Sequence, residues 1–250
     1  MTLNEYRKKR NFASTPEPSG NAKPKKKTNK LIYVIQKHRA TQLHYDFRLE
    51  WNGALLSWAV PKGPSLDPSV KRMAMQVEDH PIEYATFEGI IPADEYGGGT
   101  VMVWDSGTWE REVPDVNEAL RKGDLKFTLH GKKLHGSWVL VRTKGWGSSK
   151  GKPAWLLIKH RDAYASESDI TEEQPYSAVS GRLLAEIAHD NGGDVLKAAT
   201  GDPVSAKMTV LKKAQATEKA AAKRGAGKKT AAKRATKKRL SIWHSNRPKR

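Results

Sequence analysis

Apolar and polar side chains alternate strictly along LHYDFRLE, residues 43–50. Successive side chains of a β-strand point to opposite faces, so this alternation predicts a strand with one apolar and one polar face. The apolar face can pack on a core. The polar face carries His44, Asp46 and Arg48 in a row. The strand therefore presents an imidazole, a carboxylate and a guanidinium side by side.

About eight such extended runs, joined by turn residues, follow one another through residues 31–166. Asn52-Gly53 is a strong signal for a two-residue hairpin turn, and Asp105-Ser106-Gly107 predicts a second hairpin. Short helices are predicted in VNEALRKGD, where Gly123 would end the helix, and in GRLLAEIAHD. We therefore expect an all-β fold, an antiparallel β-barrel or sandwich of about eight strands with short flanking helices.

The net charge of +18 is concentrated at the two ends of the sequence. Residues 1–30 carry nine Lys and Arg against two Glu, and residues 205–250 carry 16 against one. Residues 31–204 are nearly balanced, with 20 basic and 24 acidic residues. Polycationic segments attract polyanions, so both ends predict contact with nucleic acid, although a merely solubilising role is the simpler alternative.

Four segments follow from these changes in composition. Residues 1–30 form a basic N-terminal arm, which could hold Glu17 in one place if it packs back on the domain. Residues 31–166 form the β domain, and residues 167–204 form a linker with a short helix. Residues 205–250 form a Lys/Ala-rich tail that cannot bury a core, so we expect it to be disordered without a polyanion.

The sequence has no cysteine, so any metal must be held by histidine and carboxylate. The first residues, MTLNEYRKKRNF, lack the apolar run of a secretory signal. No stretch approaches 18 apolar residues, the length that a membrane-spanning helix requires. These features lead us to expect a soluble intracellular protein.

Two histidines and an aspartate lie within nine residues, at His38, His44 and Asp46. Two neutral imidazoles and one carboxylate make a three-ligand metal site with open positions for water or substrate. The neighbouring Arg48 indicates an anionic substrate, because a guanidinium matches phosphate or carboxylate. The alternative is a solvated strand face on which these side chains pair with one another.

Other candidates stand in or beside loops. His80 begins an irregular stretch directly after a predicted strand, where functional loops often lie, and Tyr84 follows four residues later. Lys62 and Arg72 flank a Pro/Gly-rich loop and could add positive charge near the same opening. Gly97-Gly98-Gly99 is not a phosphate-binding P-loop, because no Gly-Lys-Ser/Thr follows it.

Several separated blocks resemble the 3′-phosphoesterase domain of bacterial DNA ligase D over about residues 5–165. They are VIQKHRATQLHYDFRLEWNGALLSWAVPKGPSLDPSVKR, VEDHPIEYATFEGIIPADEYGGGTVMVWDSGTW, LHGKKLHGSWVLVRT and WLLIKHRDAYA. The resemblance implies a compact β-barrel-like domain that trims 3′ ends. It implies removal of a 3′-terminal ribonucleoside and then of the 3′-phosphate, which leaves a 3′-hydroxyl for end joining.

The resemblance also implies roles for individual residues. A divalent metal, usually Mn²⁺, would bind the positions matching His38, His44 and Asp46. The phosphate site would be lined by the positions matching His80, Arg48, Lys62, Arg72 and Tyr84. The N-terminal arm would contribute the positions matching Arg10 and Glu17. The expected partners are DNA or RNA–DNA 3′ ends, with ligase, polymerase and Ku-type end-joining proteins as further candidates, in the bacterial cytoplasm and associated with the nucleoid.

The sequence departs from this family at two points. Asn11 stands where the arm should carry an aspartate, and the Lys-x-Asp-Gly motif of nucleotidyltransferases is missing, so we expect a stand-alone phosphoesterase without ligation. A non-enzymatic DNA-binding or scaffolding protein, dominated by its tails, is the main alternative. A non-haem iron oxygenase is a weaker one, because its His-x-Asp pair usually precedes the second histidine, whereas here His38 comes first.

Overall fold

The computed structural model describes residues 3–21, 30–143 and 153–204. These residues form nine strands, five short α-helices and one 3₁₀-helix. The strands are β1 (Leu31–Arg39), β2 (Leu43–Trp51), β3 (Ala54–Val60), β4 (Arg72–Gln76), β5 (Gly89–Ile91), β6 (Gly99–Arg111), β7 (Asp124–Gly131), β8 (His135–Arg142) and β9 (Ala154–Lys159). The helices are α1 (Asn4–Lys8), α2 (Val116–Lys122), α3 (Ile170–Glu173), α4 (Leu184–Asp190) and α5 (Val195–Ala199), and the 3₁₀-helix is Ile82–Thr86.

Eight of the strands close into an antiparallel barrel. Their order around it is β1-β2-β3-β4-β9-β8-β7-β6, and the pairing of β6 with β1 completes the circle. The short strand β5 pairs with the beginning of β6 outside this circle. The expected all-β class with short flanking helices is thus confirmed, and of the two architectures left open it is the barrel that forms.

Alternation along each strand sorts side chains between the barrel interior and its outer surface. Tyr45, Phe47 and Leu49 of β2 point into the main core, in which the largest fully buried side chains are tryptophans. The fully buried ones are Trp58, Trp104, Trp109, Trp138 and Trp155. The polar face of β2 consequently lies on the outside of the barrel, where the candidate ligands are.

The turn between β2 and β3 has the backbone that the sequence predicts. Asn52 and Gly53 both have positive φ, 50° and 80°, as a type I′ hairpin turn requires. Helix α2 also agrees with its sequence signals. The Asp115 carboxylate accepts hydrogen bonds from the backbone N–H groups of Asn117 and Glu118, and Gly123 ends the helix in the left-handed conformation.

The hairpin expected at Asp105-Ser106-Gly107 does not form, because β6 runs through these residues as one long strand. The Asp105 carboxylate is fully buried and accepts hydrogen bonds from the Tyr33 hydroxyl and from backbone N–H groups between Lys132 and Leu134. Asp105 therefore anchors the neighbouring β7–β8 turn. The irregularity that remains is a bulge, at which Trp104 has no partner in β1.

Two segments cover the outside and one end of this barrel. Residues 3–21 pack on the outer face of β1, β3 and β6 through a second apolar cluster that contains Tyr6, Leu55 and Tyr84. Helices α3–α5 add Ile170, Leu184 and further apolar residues to the main core. Among the described residues no helix is both long and apolar enough to cross a bilayer. The predicted tail, residues 205–250, lies outside the described residues.

Candidate metal centre

The antiparallel register of β1 and β2 assembles the three candidate ligands. His38 lies directly opposite His44, and Gln36 lies opposite Asp46. Cross-strand partners share a face of the sheet, so His38 joins the polar face of β2. One ligand atom from each of His38, His44 and Asp46 lies within 4.8 Å of the other two. Geometry and residue type together make this a candidate divalent-metal site.

The free ligand atoms fit a metal ion. His44 Nδ1 lies 3.1 Å from the carbonyl oxygen of Gln42, which can only accept, so Nδ1 holds the proton and Nε2 has a free lone pair. That Nε2 is 3.7 Å from Asp46 Oδ1. His38 Nδ1 is 3.5 Å from Asp46 Oδ2, while its Nε2 is buried and has no hydrogen-bond partner among the described residues. The donor set of two nitrogens and one carboxylate suits Mn²⁺, Fe²⁺ or Zn²⁺.

The charges of the site keep these ligands in their metal-binding forms. Burial by itself would raise the pKa of Asp46, but the Arg48 guanidinium and the two imidazoles hold that pKa far below its usual range. Burial lowers the pKa of His44 against the opposing effect of Asp46. At neutral pH the site therefore presents a carboxylate and a neutral His44 imidazole.

Arg48 is fixed in place by its neighbours. Its Nε donates to Gln36 Oε1 (2.9 Å), one terminal nitrogen donates to Ser57 Oγ (2.8 Å) and the other lies 3.2 Å from Asp46 Oδ2. The guanidinium carbon also lies 4.9 Å from the centre of the Tyr84 ring. Because these contacts fix its orientation, the Arg48 guanidinium is preorganised to bind an anion beside the metal ligands.

His80 adds a third imidazole to the site and lies near Arg48. Its backbone pairs with Leu55 of β3, and its Nδ1 donates to the Glu78 carbonyl oxygen (2.9 Å). Its Nε2 faces a terminal nitrogen of Arg10 at 3.2 Å and must accept from it. Burial, together with the charges of Arg48 and Arg10, lowers the pKa of His80 well below the usual value. His80 is therefore neutral, and its Nε2 lone pair holds the Arg10 guanidinium in the site.

The N-terminal arm completes the site. Arg10 Nε donates to Glu17 Oε1 at 2.8 Å, and this pair is almost fully buried. The Tyr84 hydroxyl donates to the same carboxylate oxygen, also at 2.8 Å. Asn11 itself is exposed, and its side-chain oxygen accepts from the N–H of Ala13. It therefore makes a local turn and carries no charge into the site.

The structure brings together eight of the ten residues singled out from the sequence. They are His38, His44, Asp46, Arg48, His80, Tyr84, Arg10 and Glu17. Lys62 is exposed in the loop after β3, and among the described residues no hydrogen bond or ion pair joins it to them. Arg72 lies opposite Leu157 on the core-facing side of β4, whereas the ligands lie on the outer side of the barrel.

Three further residues support the site and are not singled out by the sequence. Gln36 accepts from Arg48 and donates to the backbone carbonyls of Tyr84 and Phe87, so it ties β1 to the segment that carries Tyr84. Ser57 accepts from Arg48, and Glu78 binds Lys9 as well as Arg10. Gln36 and Ser57 could have been found, because Gln36 is two residues before His38 and Ser57 alternates onto the outer face of β3.

Comparison with known proteins agrees with this geometry. Residues 36–142 match the family described as the DNA Ligase D 3′-phosphoesterase domain. The chain is 52% identical over 186 residues to the multifunctional non-homologous end joining protein LigD of Pseudomonas aeruginosa. The aligned region is 73% of this chain and 22% of that protein.

Two mycobacterial relatives give the same result. The multifunctional non-homologous end joining DNA repair protein LigD of Mycobacterium tuberculosis strain H37Rv is 47% identical over 143 residues, which is 57% of this chain and 18% of that protein. LigD of Mycolicibacterium smegmatis is 45% identical over 165 residues, 64% of this chain and 21% of that protein. The chain thus spans about a fifth of the length of these relatives.

Proposed function

We propose that this chain, whose residues 36–142 belong to the DNA ligase D 3′-phosphoesterase domain family, removes blocking groups from the 3′ ends of nucleic acid. The relatives are named as non-homologous end joining proteins, which supports a role in processing ends for repair. The specific reactions that we propose are removal of a 3′-terminal ribonucleoside and removal of a 3′-phosphate. The first reaction would leave a 3′-phosphate, and the second would convert it into a 3′-hydroxyl end. Such an enzyme would act on the chromosomal DNA of the bacterial nucleoid.

The observation that carries this proposal is the convergence of His38, His44 and Asp46 next to the Arg48 guanidinium. We propose that these three side chains hold Mn²⁺ or another divalent cation. When bound, such a cation supplies Lewis-acid polarisation of a phosphoryl oxygen and lowers the pKa of a bound water. The lone pair on His44 Nε2 and the orphaned Nε2 of His38 support this assignment.

The substrate phosphate would lie between Arg48, Arg10 and His80. The two guanidinium groups would neutralise the charge that develops on the phosphoryl oxygens. His80 donates through Nδ1 to the Glu78 carbonyl and accepts through Nε2 from Arg10, so this neutral imidazole would hold the Arg10 guanidinium beside the phosphate. Glu17 holds Arg10, and Tyr84 holds Glu17, which makes both of them positioning residues.

Lys62 and Arg72 remain proposed members of the phosphate site on the strength of the family resemblance alone. The exposed position of Lys62 makes it a candidate for contact with the nucleic-acid strand rather than with the reacting phosphate. The DNA-end partners, and ligase, polymerase or Ku-type proteins beyond them, are likewise proposals. The basic arm and tail would provide sequence-independent attraction to the DNA backbone.

The test measures release of phosphate and of terminal ribonucleoside from 3′-blocked primers with a panel of divalent metals. We expect the wild-type protein to act with Mn²⁺ and to stop on chelation. His44→Ala should lower kcat/KM more than about 100-fold, since it removes a ligand and not merely a supporting contact. His130→Ala is the matched control, because His130 is exposed on β7, away from the site.

Two results would contradict the proposal. One is a wild-type protein that is inactive on both blocked ends with every metal. The other is equal activity in the wild type and His44→Ala. Asp46→Ala is less suitable alone, because it also removes the partner of the buried Arg48 and should lower stability.

A further inference from the structure

A glycine-rich loop, residues 92–99, packs against the candidate metal centre. A Cβ added to Gly97 would lie 3.7 Å from His38 Cε1, so the loop backbone passes beside a ligand side chain with room for about one methyl group between them. A Cβ on Gly98 would lie only 2.5 Å from the carbonyl oxygen of Pro92, which shows how tightly the loop folds on itself. Whatever side chain precedes these glycines is therefore held at the edge of the site.

That side chain is Tyr96, and its ring is exposed. Its relative exposure is 49%, whereas Tyr6 and Tyr84, which also border the site, are 0% and 2% exposed. The aromatic rings that the fold needs are thus buried, and Tyr96 contributes little to any core. An exposed aromatic ring that a rigid loop holds beside a catalytic centre is available to a ligand.

Two cations accompany the ring. Lys9 Nζ lies 5.0 Å and the Arg10 guanidinium carbon 5.8 Å from its centroid. Arg10 also reaches His80 Nε2 at 3.2 Å, so a single side chain spans from the ring to the proposed phosphate site. Aromatic rings set among cations are how proteins bind single nucleotides of a strand, with the base on the ring and the phosphates on the cations.

We propose that Tyr96 is the stacking platform for the nucleobase of the 3′-terminal nucleotide, with Lys9 contacting the adjacent backbone phosphate. This inference rests on the proposed function, because it assigns a subsite of the same centre. A stacking platform is tolerant of sequence, since every base has a π face. The enzyme should therefore need a terminal base but show little preference among the four.

The competing explanation is that Tyr96 only holds the arm. The hydroxyl of Ser14 donates to the Glu95 carboxylate, so arm and loop are already joined next to the ring. In that case loss of the ring would weaken catalysis on every substrate equally, with or without a terminal base. The experiment must therefore vary the base and the ring together.

The experiment compares primers that end in a 3′-phosphate on either a normal or an abasic nucleotide. With the normal primer, Tyr96→Ala should raise KM about 5- to 150-fold, the range that loss of one base–aromatic stack produces. With the abasic primer the same variant should match the wild type. Tyr96→Phe should behave like the wild type, because it keeps the ring. Tyr164→Ala is the control, as Tyr164 is also exposed but stacks on His135 near β8, on the other side of the barrel.

Equilibrium binding of both primers, measured by fluorescence anisotropy with a chelator present, repeats the comparison without turnover. Both primers carry the same backbone charge, so attraction by a basic tail would cancel in the ratio of their affinities, and this ratio isolates the base. Failure of hydrolysis in the wild type would contradict the proposed function, while this ratio would still report on the platform. An equal effect of Tyr96→Ala on both primers, or no effect on either, would overturn the assignment of Tyr96.

Discussion

Arg10 and Glu17 show how a segment outside the barrel becomes part of its site. Both side chains are buried, at 5% and 0% exposure, although neither belongs to a strand. Charged groups are rarely buried unless they are paired, and each of these has the other. The pair thus fixes where the arm lies, and through Arg10 it fixes what faces His80.

Replacing Glu17 with Gln should undock the arm. The substitution leaves the buried Arg10 with Glu78, 3.5 Å away, as its remaining acidic partner, and breaking a buried pair on one side costs about 3–5 kcal/mol. Limited proteolysis should then cut the arm faster while the barrel keeps its unfolding midpoint, and activity should fall. Glu5→Gln is the control, since its pair with Lys8 is exposed and contributes at most about 1 kcal/mol. Equal proteolysis of both variants would contradict this account.

Alternation along β2 predicts the placement of His44, Asp46 and Arg48 without any structure, because a strand leaves no other choice. His38 could be placed only as a neighbour, since its exact position depends on the register of β1 against β2. The interior orientation of Arg72 likewise could not be predicted from the sequence, because it also depends on strand register. Its face is decided by pairing with β9, more than 80 residues away along the chain.

At the scale of elements, the glycine-rich loop, residues 92–99, brings backbone close to the candidate metal ligands. A Cβ at Gly98 would clash with the backbone of the loop itself, and a Cβ at the adjacent Gly97 would lie 3.7 Å from His38 Cε1. From the sequence alone these glycines exclude a P-loop, but they do not show that the loop lies beside His38. The position of the loop depends on the pairing of β5 with β6 and of β6 with β1.

Gly98→Ala should therefore impair the site more than the fold. The added methyl group meets the Pro92 carbonyl at 2.5 Å, and relief of such overpacking typically costs about 1–3 kcal/mol. We expect the loop to shift away from His38, so that Mn²⁺ affinity, measured by calorimetry, falls along with activity. Gly192→Ala is the control: it has a positive φ of 69° but nothing within 4 Å of its added Cβ, so it should affect stability alone. Unchanged metal affinity in Gly98→Ala would refute this.

The absence of the hairpin predicted at Asp105-Ser106-Gly107 also has a physical cause at the scale of elements. The residues are those of a turn, and locally nothing distinguishes them from one. What keeps β6 extended is the set of long-range hydrogen bonds to the Asp105 carboxylate from Tyr33 and from the β7–β8 turn. Local propensity gives way to such a buried network, and a single sequence does not display it.

In the molecule as a whole, the closed barrel and the charge of its ends are separate properties. The barrel could be predicted only as one of two architectures, because the decisive contact joins β1 to β6 across the length of four intervening strands. The distribution of charge, in contrast, is evident from the sequence at once. Residues 205–250 carry 16 of the 45 Lys and Arg.

Deleting residues 205–250 should separate binding from catalysis. We expect kcat on a saturating 3′-phosphate primer to remain unchanged, while affinity at 50 mM salt falls roughly tenfold or more. The plot of log affinity against log salt should become shallower, because fewer phosphates release their counterions. Anisotropy titrations between 50 and 200 mM salt measure both quantities. Complete loss of activity at saturating primer would instead favour the non-enzymatic, tail-dominated alternative.

The locality of the three ligands has a consequence for the order of folding. His38, His44 and Asp46 belong to one hairpin of neighbouring strands, whereas closure of the barrel pairs His38 with Val101. Short loops cost less entropy to close than long ones, so the hairpin can form first. We expect a nascent chain to be able to capture its cation while the sixth strand is still inside the ribosome.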